Sequence, residues 1–317
     1  MKKHYLVTGG GGFIGSNIVK MLIKKGNKVS VFDNFQRGKP SRLENISKKI
    51  KLYKGDIRDK KLLLKSFKKI DSVIHLAYVN GTKFFYDKPD EIIDIAVRGM
   101  LNVIDASLKN KVREFILFSS SEVYSNPSII PTPESIELKI PDLHNPRYSY
   151  GGGKICCELM LRHLCDKQFN RSIIIRPHNV YGPDMGEEHI IPEITKKVLL
   201  LKKNQKLKTQ GSGNETRSFI YIDDFLDGFQ KVLNRGKHLE IYNIGTNEEL
   251  KIKEVIKKIL KNLNKNNKLK IGIIRKGSPT RRQPEIKKIK SIGFKQKVSF
   301  DKGLLKVLNW YKNYYLS

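Results

Sequence analysis

Four side chains have types and spacings suited to proton transfer at an alcohol: Ser120, Glu122, Tyr150 and Lys154. Tyr150 and Lys154 are four residues apart, so on a helix they share one face. A phenol with a pKa of about 10 is a poor base at neutral pH. A neighbouring ammonium favours the phenolate and lowers that pKa, each unit being worth about 1.4 kcal/mol. Ser120 sits in Ser119-Ser120-Ser121-Glu122-Val123-Tyr124, directly after the apolar run Phe115-Ile116-Leu117-Phe118. A hydroxyl there can bond the oxygen that Tyr150 deprotonates. It can equally close a strand as a cap, as serines often do. A Tyr-x-x-x-Lys pair alone is common and mostly structural, so its weight depends on what stands upstream.

Upstream stands Val7-Thr8-Gly9-Gly10-Gly11-Gly12-Phe13-Ile14-Gly15. It follows a short apolar strand and leads into a helical pattern (Ile14, Ile18, Val19, Leu22). Gly9 suits the tight turn, Gly12 lets backbone approach a pyrophosphate, and Gly15 lets the helix pack closely on the strand. Phosphates then rest on open N–H groups at a helix N-terminus, around Phe13 and Ile14. A second strand, 28–32, ends in Asp33, 18 residues after Gly15. An acidic residue there accepts bonds from the adenosine ribose hydroxyls. The expected cofactor is therefore a nicotinamide dinucleotide, and the charge of Asp33 favours NAD over a 2′-phosphorylated cofactor. Arg37, four residues later, keeps an NADPH-consuming reductase as an alternative.

The elements that must position these groups alternate. Strand patterns cover 4–8, 28–33, 50–54, 72–76, 113–119 and 171–176, and helical patterns cover 13–25, 60–69, 90–109 and 149–169. Such alternation gives an α/β fold: a doubly wound parallel sheet of the Rossmann type, with ligands at the carboxyl ends of the strands. After about residue 177 prolines break the pattern. Helices are expected near 190–202, 223–234, 252–262 and 304–311, with a strand at 241–244. The expected organisation is a dinucleotide-binding domain over 1–176, with returning segments near 215–245. A smaller C-terminal lobe over 177–317 would bind substrate and form the second wall of a cleft.

Composition narrows the class. Lys plus Arg is 62 against 31 Asp plus Glu, a formal charge of +31. Only 14 of the 62 are arginines, and the basic residues are spread along the whole chain. Diffuse lysine attraction to polyanions follows; a specific nucleic-acid site does not, although a non-catalytic polyanion- or RNA-binding relative of the fold is one alternative. No apolar run reaches membrane-spanning length. The chain opens on the first strand, so no signal peptide is expected. Cys156, Cys157 and Cys165 form an odd, clustered set, which reads as reduced thiols in a cytoplasmic protein. No metal site is expected.

Two helices are too apolar for ordinary surface helices. Residues 91–108 carry one stripe of Ile92, Ile95, Ala96, Gly99 and Val103, and a second of Ile93, Val97, Met100, Leu101, Ile104 and Leu108. The helix after Tyr150 carries Ile155, Cys156, Leu159, Met160 and Leu164. One stripe covers the sheet, and the extra width points either to a deep position within one subunit or to a homodimer contact.

Taken together these motifs resemble the extended short-chain dehydrogenase/reductases, specifically the NAD-dependent nucleotide-sugar epimerases and dehydratases, over essentially the whole chain. Thr8–Gly15 resembles T-G-G-x-G-F-I-G. Gly55-Asp56-Ile57-Arg58-Asp59 resembles the segment whose Asp-Ile contacts adenine. His75-Leu76-Ala77 is similar to the segment beside the pyrophosphate and nicotinamide ribose. Ser120 stands at the catalytic Ser/Thr position, with Ser121 beside the substrate, and Tyr150 and Lys154 match the catalytic pair, Lys154 also holding the ribose. Arg176-Pro177-His178-Asn179-Val180-Tyr181-Gly182-Pro183 resembles the segment carrying a substrate-binding asparagine. The resemblance implies that Arg217 grips a nucleotide diphosphate, and that Arg282, in the basic stretch 275–284, faces it too. Two positions depart from the pattern: Tyr78 where a small residue is usual, and Ser125 in place of glycine.

The resemblance implies transient oxidation of the sugar to a 4-keto intermediate. That intermediate can be reduced from its other face (4-epimerase), lose water (4,6-dehydratase), or lose carbon dioxide if carbon 6 is a carboxylate (a UDP-glucuronate-type decarboxylase). Glu122 is the position at which dehydratases carry the base for carbon 5. Ser121 stands where one dehydratase class has aspartate. The 4-epimerase reading is slightly favoured over the dehydratase.

Overall fold

The computed structural model describes residues 2–316 apart from 203 and 275. The start of the basic stretch 275–284, Arg275, lies outside the described residues. The chain divides into two compact units. The first comprises Met1–Val123, Ile140–Pro177 and Gln230–Tyr242, and the second Tyr124–Lys139, His178–Phe229 and Asn243–Ser317.

The first unit is built on a sheet of β1 (His4–Thr8), β2 (Lys28–Asp33), β3 (Ile50–Lys54), β4 (Ser72–His75), β5 (Glu114–Phe118) and β6 (Arg171–Pro177), largely buried except for the edge strand β3. The order across the sheet is β3-β2-β1-β4-β5-β6, with Glu240–Ile244 beyond β6 as the seventh strand. The pairings from β3 to β6 are all parallel. Near-continuous apolar strands such as Glu114–Phe118, buried at every position, are what a sheet covered on both faces requires. The order reverses between β1 and β4, and β1 leads into the glycine turn. Ligands of doubly wound sheets bind at such a switch point.

The helices meet their expected positions with local differences. The first spans Phe13–Lys24 and buries Ile18, Val19 and Leu22. The second, Lys60–Ser66, is capped by the Asp59 side chain, which accepts from the N–H groups of Lys61 and Leu62. It stops three residues short of 69 because the chain turns through Lys69 at φ 61°. The run 89–109 is helical throughout, but Ile95–Gly99 widens into a π turn. The helix carrying Tyr150 spans Tyr148–Leu164.

Among the described residues of the second unit, five helices (Ile190–Leu199, Ile222–Arg235, Ile252–Asn262, the short Lys287–Ser291 and Phe300–Leu316) accompany three two-stranded ladders. The helix Ile222–Arg235 runs past this unit's boundary, its residues from Gln230 on belonging to the first. The last helix is longer than its sequence pattern, which covers 304–311. Tyr181, Phe219, Tyr221 and Phe300 form an aromatic core, with Tyr181 5.4 Å from Phe300 and 5.5 Å from Tyr221. The Tyr181 hydroxyl donates to the Phe300 carbonyl at 3.1 Å.

Candidate active site

At both ends of the glycine turn, Gly9 and Gly15, there is no room for a side chain. Gly9 has φ +73°, and a Cβ there would lie 2.7 Å from the Ala77 backbone nitrogen. A Cβ on Gly15 would collide with the Gly9 carbonyl oxygen. Gly12, in extended conformation, opens the helix with no side-chain cap, and no acidic residue stands in the first turn. The N–H groups around Phe13 and Ile14 thus keep the dipole and donors that favour a phosphate.

Asp33 ends β2 and is buried. Its Oδ2 accepts from the Gly11 N–H at 2.8 Å and its Oδ1 from the Phe35 N–H at 2.7 Å. Burial raises its pKa, while these two bonds and the Arg42 guanidinium pull it back. A pocket beside it is lined by Asn34, Arg37, Asp56, Ile57, Ala77 and Tyr78 among others. Arg37 lies over the Phe84 ring, 4.5 Å from its centroid. Asp56 is held by Arg58 at 2.8 Å, whose hydrogen bonds keep its carboxyl below the usual range. Leu76 and Ala77 follow β4: the Leu76 N–H donates to the Thr8 carbonyl at 3.0 Å, which ties the two strand ends together. His75 pairs with the Thr8 hydroxyl at 2.7 Å. Burial, then the Lys154 charge, push His75 down to about 3, so it is neutral. The glycine cradle, the uncapped helix and the pocket beside Asp33 together fit a dinucleotide.

The chemistry-bearing residues gather at the carboxyl end of β5. Ser120 Oγ accepts from the Glu122 N–H at 3.1 Å and so closes the short turn Ser121–Tyr124. Both readings of this serine are compatible, since the same hydroxyl can still donate its proton outward. Ser121 is buried in that turn. Ser125, the departure from glycine, takes a left-handed backbone with φ 49°, which is why glycine suits the position.

Tyr150 and Lys154 are both buried. Phe85 stacks on Tyr150 at 4.5 Å and Tyr78 meets it edge-on at 5.2 Å. Lys154 Nζ donates to the Phe118 carbonyl at 2.7 Å, which fastens the helix to the end of β5. Burial lowers the Lys154 pKa from its usual value to about 8. Arg176 anchors the same helix to β6, donating to Glu158 through Nε at 2.9 Å. Cys157 is buried and its thiol is pushed up to about 12 by that burial, so it is unreactive.

Two residues near this centre escape a sequence reading. Arg147 is buried and its Nη2 lies 3.1 Å from Glu122 Oε2 and 3.3 Å from Oε1. Its only sequence signal is its place one turn before Tyr150. Phe85 lies on a short helix, Thr82–Asp87, too brief to show a period.

The remaining expected substrate residues belong to the second unit. Asn179 has φ 39°, and its Nδ2 donates to the Ser218 carbonyl at 2.9 Å. Arg217 donates to the Thr216 carbonyl at 2.7 Å and to the Pro279 carbonyl at 2.9 Å. Arg282 is buried, and its carbonyl accepts from the Ser218 N–H at 3.1 Å. Asn179, Ser218 and Arg282 are thus linked through Ser218. Among the described residues no cluster of three or more His, Cys, Asp or Glu is placed to hold a metal ion, and no helix is long and apolar enough to cross a membrane.

A doubly wound sheet with a glycine cradle and a Tyr-Lys pair beside a strand-end serine defines a dinucleotide-dependent enzyme. The model of the NAD dependent epimerase/dehydratase family matches residues 5–245. The chain belongs to that family and uses NAD. It is 30% identical to a UDP-N-acetyl-alpha-D-glucosaminuronate decarboxylase of Bacillus cytotoxicus, over 98% of each chain. It is 33% identical to a putative UDP-glucose 4-epimerase of Methanocaldococcus jannaschii, over 97% of this chain and 98% of the other. The crystal structure of DesIV, a dTDP-glucose 4,6-dehydratase of Streptomyces venezuelae, with NAD bound, superposes with a TM-score of 0.87. It is 26% identical and covers 98% of this chain and 97% of that one. Three reactions are thus represented at similar identity, so identity alone selects the family and not the reaction.

Proposed function

We propose that this chain is a nucleotide-sugar 4-epimerase that works through transient oxidation at carbon 4 of the sugar. Bound NAD supplies a reversible hydride acceptor. Tyr150 takes the proton from the 4-hydroxyl, and Ser120 bonds the same oxygen. Lys154 keeps positive charge beside the phenol and holds the ribose. Gly9, Gly12, Gly15, Phe13 and Ile14 seat the pyrophosphate. Asp33 binds the adenosine ribose, Asp56 and Ile57 the adenine, and Leu76 and Ala77 flank the nicotinamide ribose. Asn179, Arg217, Arg282 and Ser121 bind the nucleotide-diphosphate sugar.

The observation that carries the reading is the joint burial of Tyr150 and Lys154 beside the carboxyl end of β5. A buried lysine whose pKa has fallen to about 8 is tuned for proton chemistry near neutrality. The Arg147 ion pair supports epimerisation over dehydration, because Glu122 must give up a charge-assisted bond to act as a base at carbon 5. The second reading, a 4,6-dehydratase or a decarboxylase, rests on Glu122 standing in the same turn as Ser120. Incubation with a panel of UDP-, dTDP- and GDP-sugars, read by mass, separates them. A new isomer of unchanged mass supports the epimerase; loss of water or of carbon dioxide assigns the other two.

The same reading includes a homodimer. On the helix run 89–109, Val97 and Leu101 are 38% and 39% exposed, and on Tyr148–Leu164, Leu159 and Leu164 are 53% and 54% exposed. The Cys157 thiol donates to the Ala96 carbonyl at 3.3 Å, so the two helices touch, and their outward apolar faces suit a twofold contact. Three free thiols suit a cytoplasmic chain.

A further inference from the structure

We infer that Tyr78 is a positioning residue for Lys154: its ring face seats the buried ammonium, and Gly153 is the clearance that the ring requires. The inference rests on the reading of Tyr150 and Lys154 as the reacting pair.

Tyr78 follows His75-Leu76-Ala77 and is bulky where the sequence pattern expects a small side chain. Lys154 Nζ stands 4.0 Å from the centre of the Tyr78 ring. The Tyr78 hydroxyl is sealed from solvent and has no hydrogen-bond partner. It points at the helix that carries Tyr150, where a Cβ on residue 153 would collide with it and would lie 2.8 Å from the Ala96 Cβ. Any side chain at 153 would therefore displace the ring. The same ring meets Tyr150 edge-on at 5.2 Å, so one side chain braces both members of the pair.

An ammonium out of water needs compensation for its lost hydration. Lys154 has the Phe118 carbonyl at 2.7 Å as one partner. The negative face of an aromatic ring is a second kind of partner, and its attraction grows when the cation is desolvated. The other titratable groups around Lys154 are Tyr150, Cys157 and Glu158 on its own helix and His75 from β4. His75 is neutral and the Cys157 thiol stays protonated, so neither supplies a counter-charge. Glu158 also favours the charged ammonium, although its hydrogen bonds go to Arg176. The ring therefore stabilises the charged form of Lys154, and through it the deprotonated form of Tyr150.

The test is the pH profile of kcat/KM in variants at position 78. Tyr78→Phe keeps the ring face and is expected to leave the acid limb in place. Tyr78→Leu keeps apolar bulk without the face. The weaker ammonium then shifts the acid limb upward, by about half to one pH unit for an attraction of ordinary strength. Progressively fluorinated phenylalanines at position 78 preserve the shape while draining charge from the ring face. They should move the limb upward stepwise, and they supply the reading if Tyr78→Leu fails to fold. A limb that ignores fluorination overturns the inference. Tyr150→Phe run in parallel separates the two failures: if it is inactive while the fluorinated series is flat, only the role of Tyr78 falls, and if it is active, the reading of the pair falls.

Discussion

Arg147 holds Glu122 with one guanidinium nitrogen 3.1 Å from Oε2 and 3.3 Å from Oε1, and the arginine is buried. The two residues bracket the centre, one in the turn after β5 and the other one helical turn before Tyr150. Removing one partner of such a pair leaves the other charge uncompensated. The pair is thus a fixed part of the site, and the state of its carboxylate bears directly on which reaction follows oxidation.

Glu122→Gln keeps the shape and removes the base. For a 4-epimerase the variant should retain most of its turnover, since no proton leaves carbon 5. For a dehydratase it should stall with a 4-keto sugar and NADH, visible as absorbance of the reduced cofactor. Turnover in heavy water gives an independent check. Epimerisation at carbon 4 should place no deuterium on carbon, whereas dehydration should.

Gly15→Ala should weaken NAD binding while the sheet still forms. The added methyl meets the Gly9 carbonyl oxygen, a backbone atom with no freedom to retreat. Overpacking of about 1–3 kcal/mol at the cradle corresponds to roughly a 5- to 150-fold loss of affinity. Titration calorimetry with NAD reads it directly, and unchanged affinity would remove the pyrophosphate from this turn.

Lys154→Met should stabilise the cofactor-free protein near neutral pH as it destroys activity. Burial has lowered the Lys154 pKa from 10.5 to about 8, so between those values the unfolded chain binds the extra proton. Stability from this group is fully present above pH 10.5, falls as pH drops towards about 8, and is absent below it. The cost of the buried charge at pH 7 is on the order of a few kcal/mol. Thermal melts of both proteins from pH 7 to 10 should converge at the alkaline end. Parallel curves would show that Lys154 carries no such cost.

Val97→Glu combined with Leu101→Glu should give a folded monomer. Both side chains are more than a third exposed, so the folded subunit tolerates charge there, whereas a twofold apolar contact does not. Sedimentation velocity checks it. A native protein that already sediments as a monomer contradicts the proposed contact.

Much of this fold is legible from residue order because a doubly wound sheet writes itself as buried apolar runs separated by helical periods. The strands at 4–8, 28–33 and 50–54 fall where the pattern places them, and that at 114–118 lies one residue inside its expected ends. The helix Thr82–Asp87 is not legible, because six residues carry no period and its start depends on Gly81 at φ 128°. The final helix starts before its pattern, at Phe300, whose ring packs on Tyr181 and Phe219, remote in sequence. At the site, the glycine turn and the Tyr150–Lys154 spacing are local and readable. The clamp of Arg147 on Glu122 and the fit of Tyr78 against Gly153 are not. Each joins segments that only the folded chain brings together.

If Tyr150 is the base, Tyr150→Phe removes the reacting group and little else. The variant loses one oxygen and keeps the ring that packs on Phe85 and Tyr78. Turnover of the nucleotide sugar identified by the substrate panel should fall by at least about 100-fold, while NAD affinity stays close to that of the native protein. A Tyr150→Phe enzyme that binds NAD and turns over at the native rate would contradict the assignment.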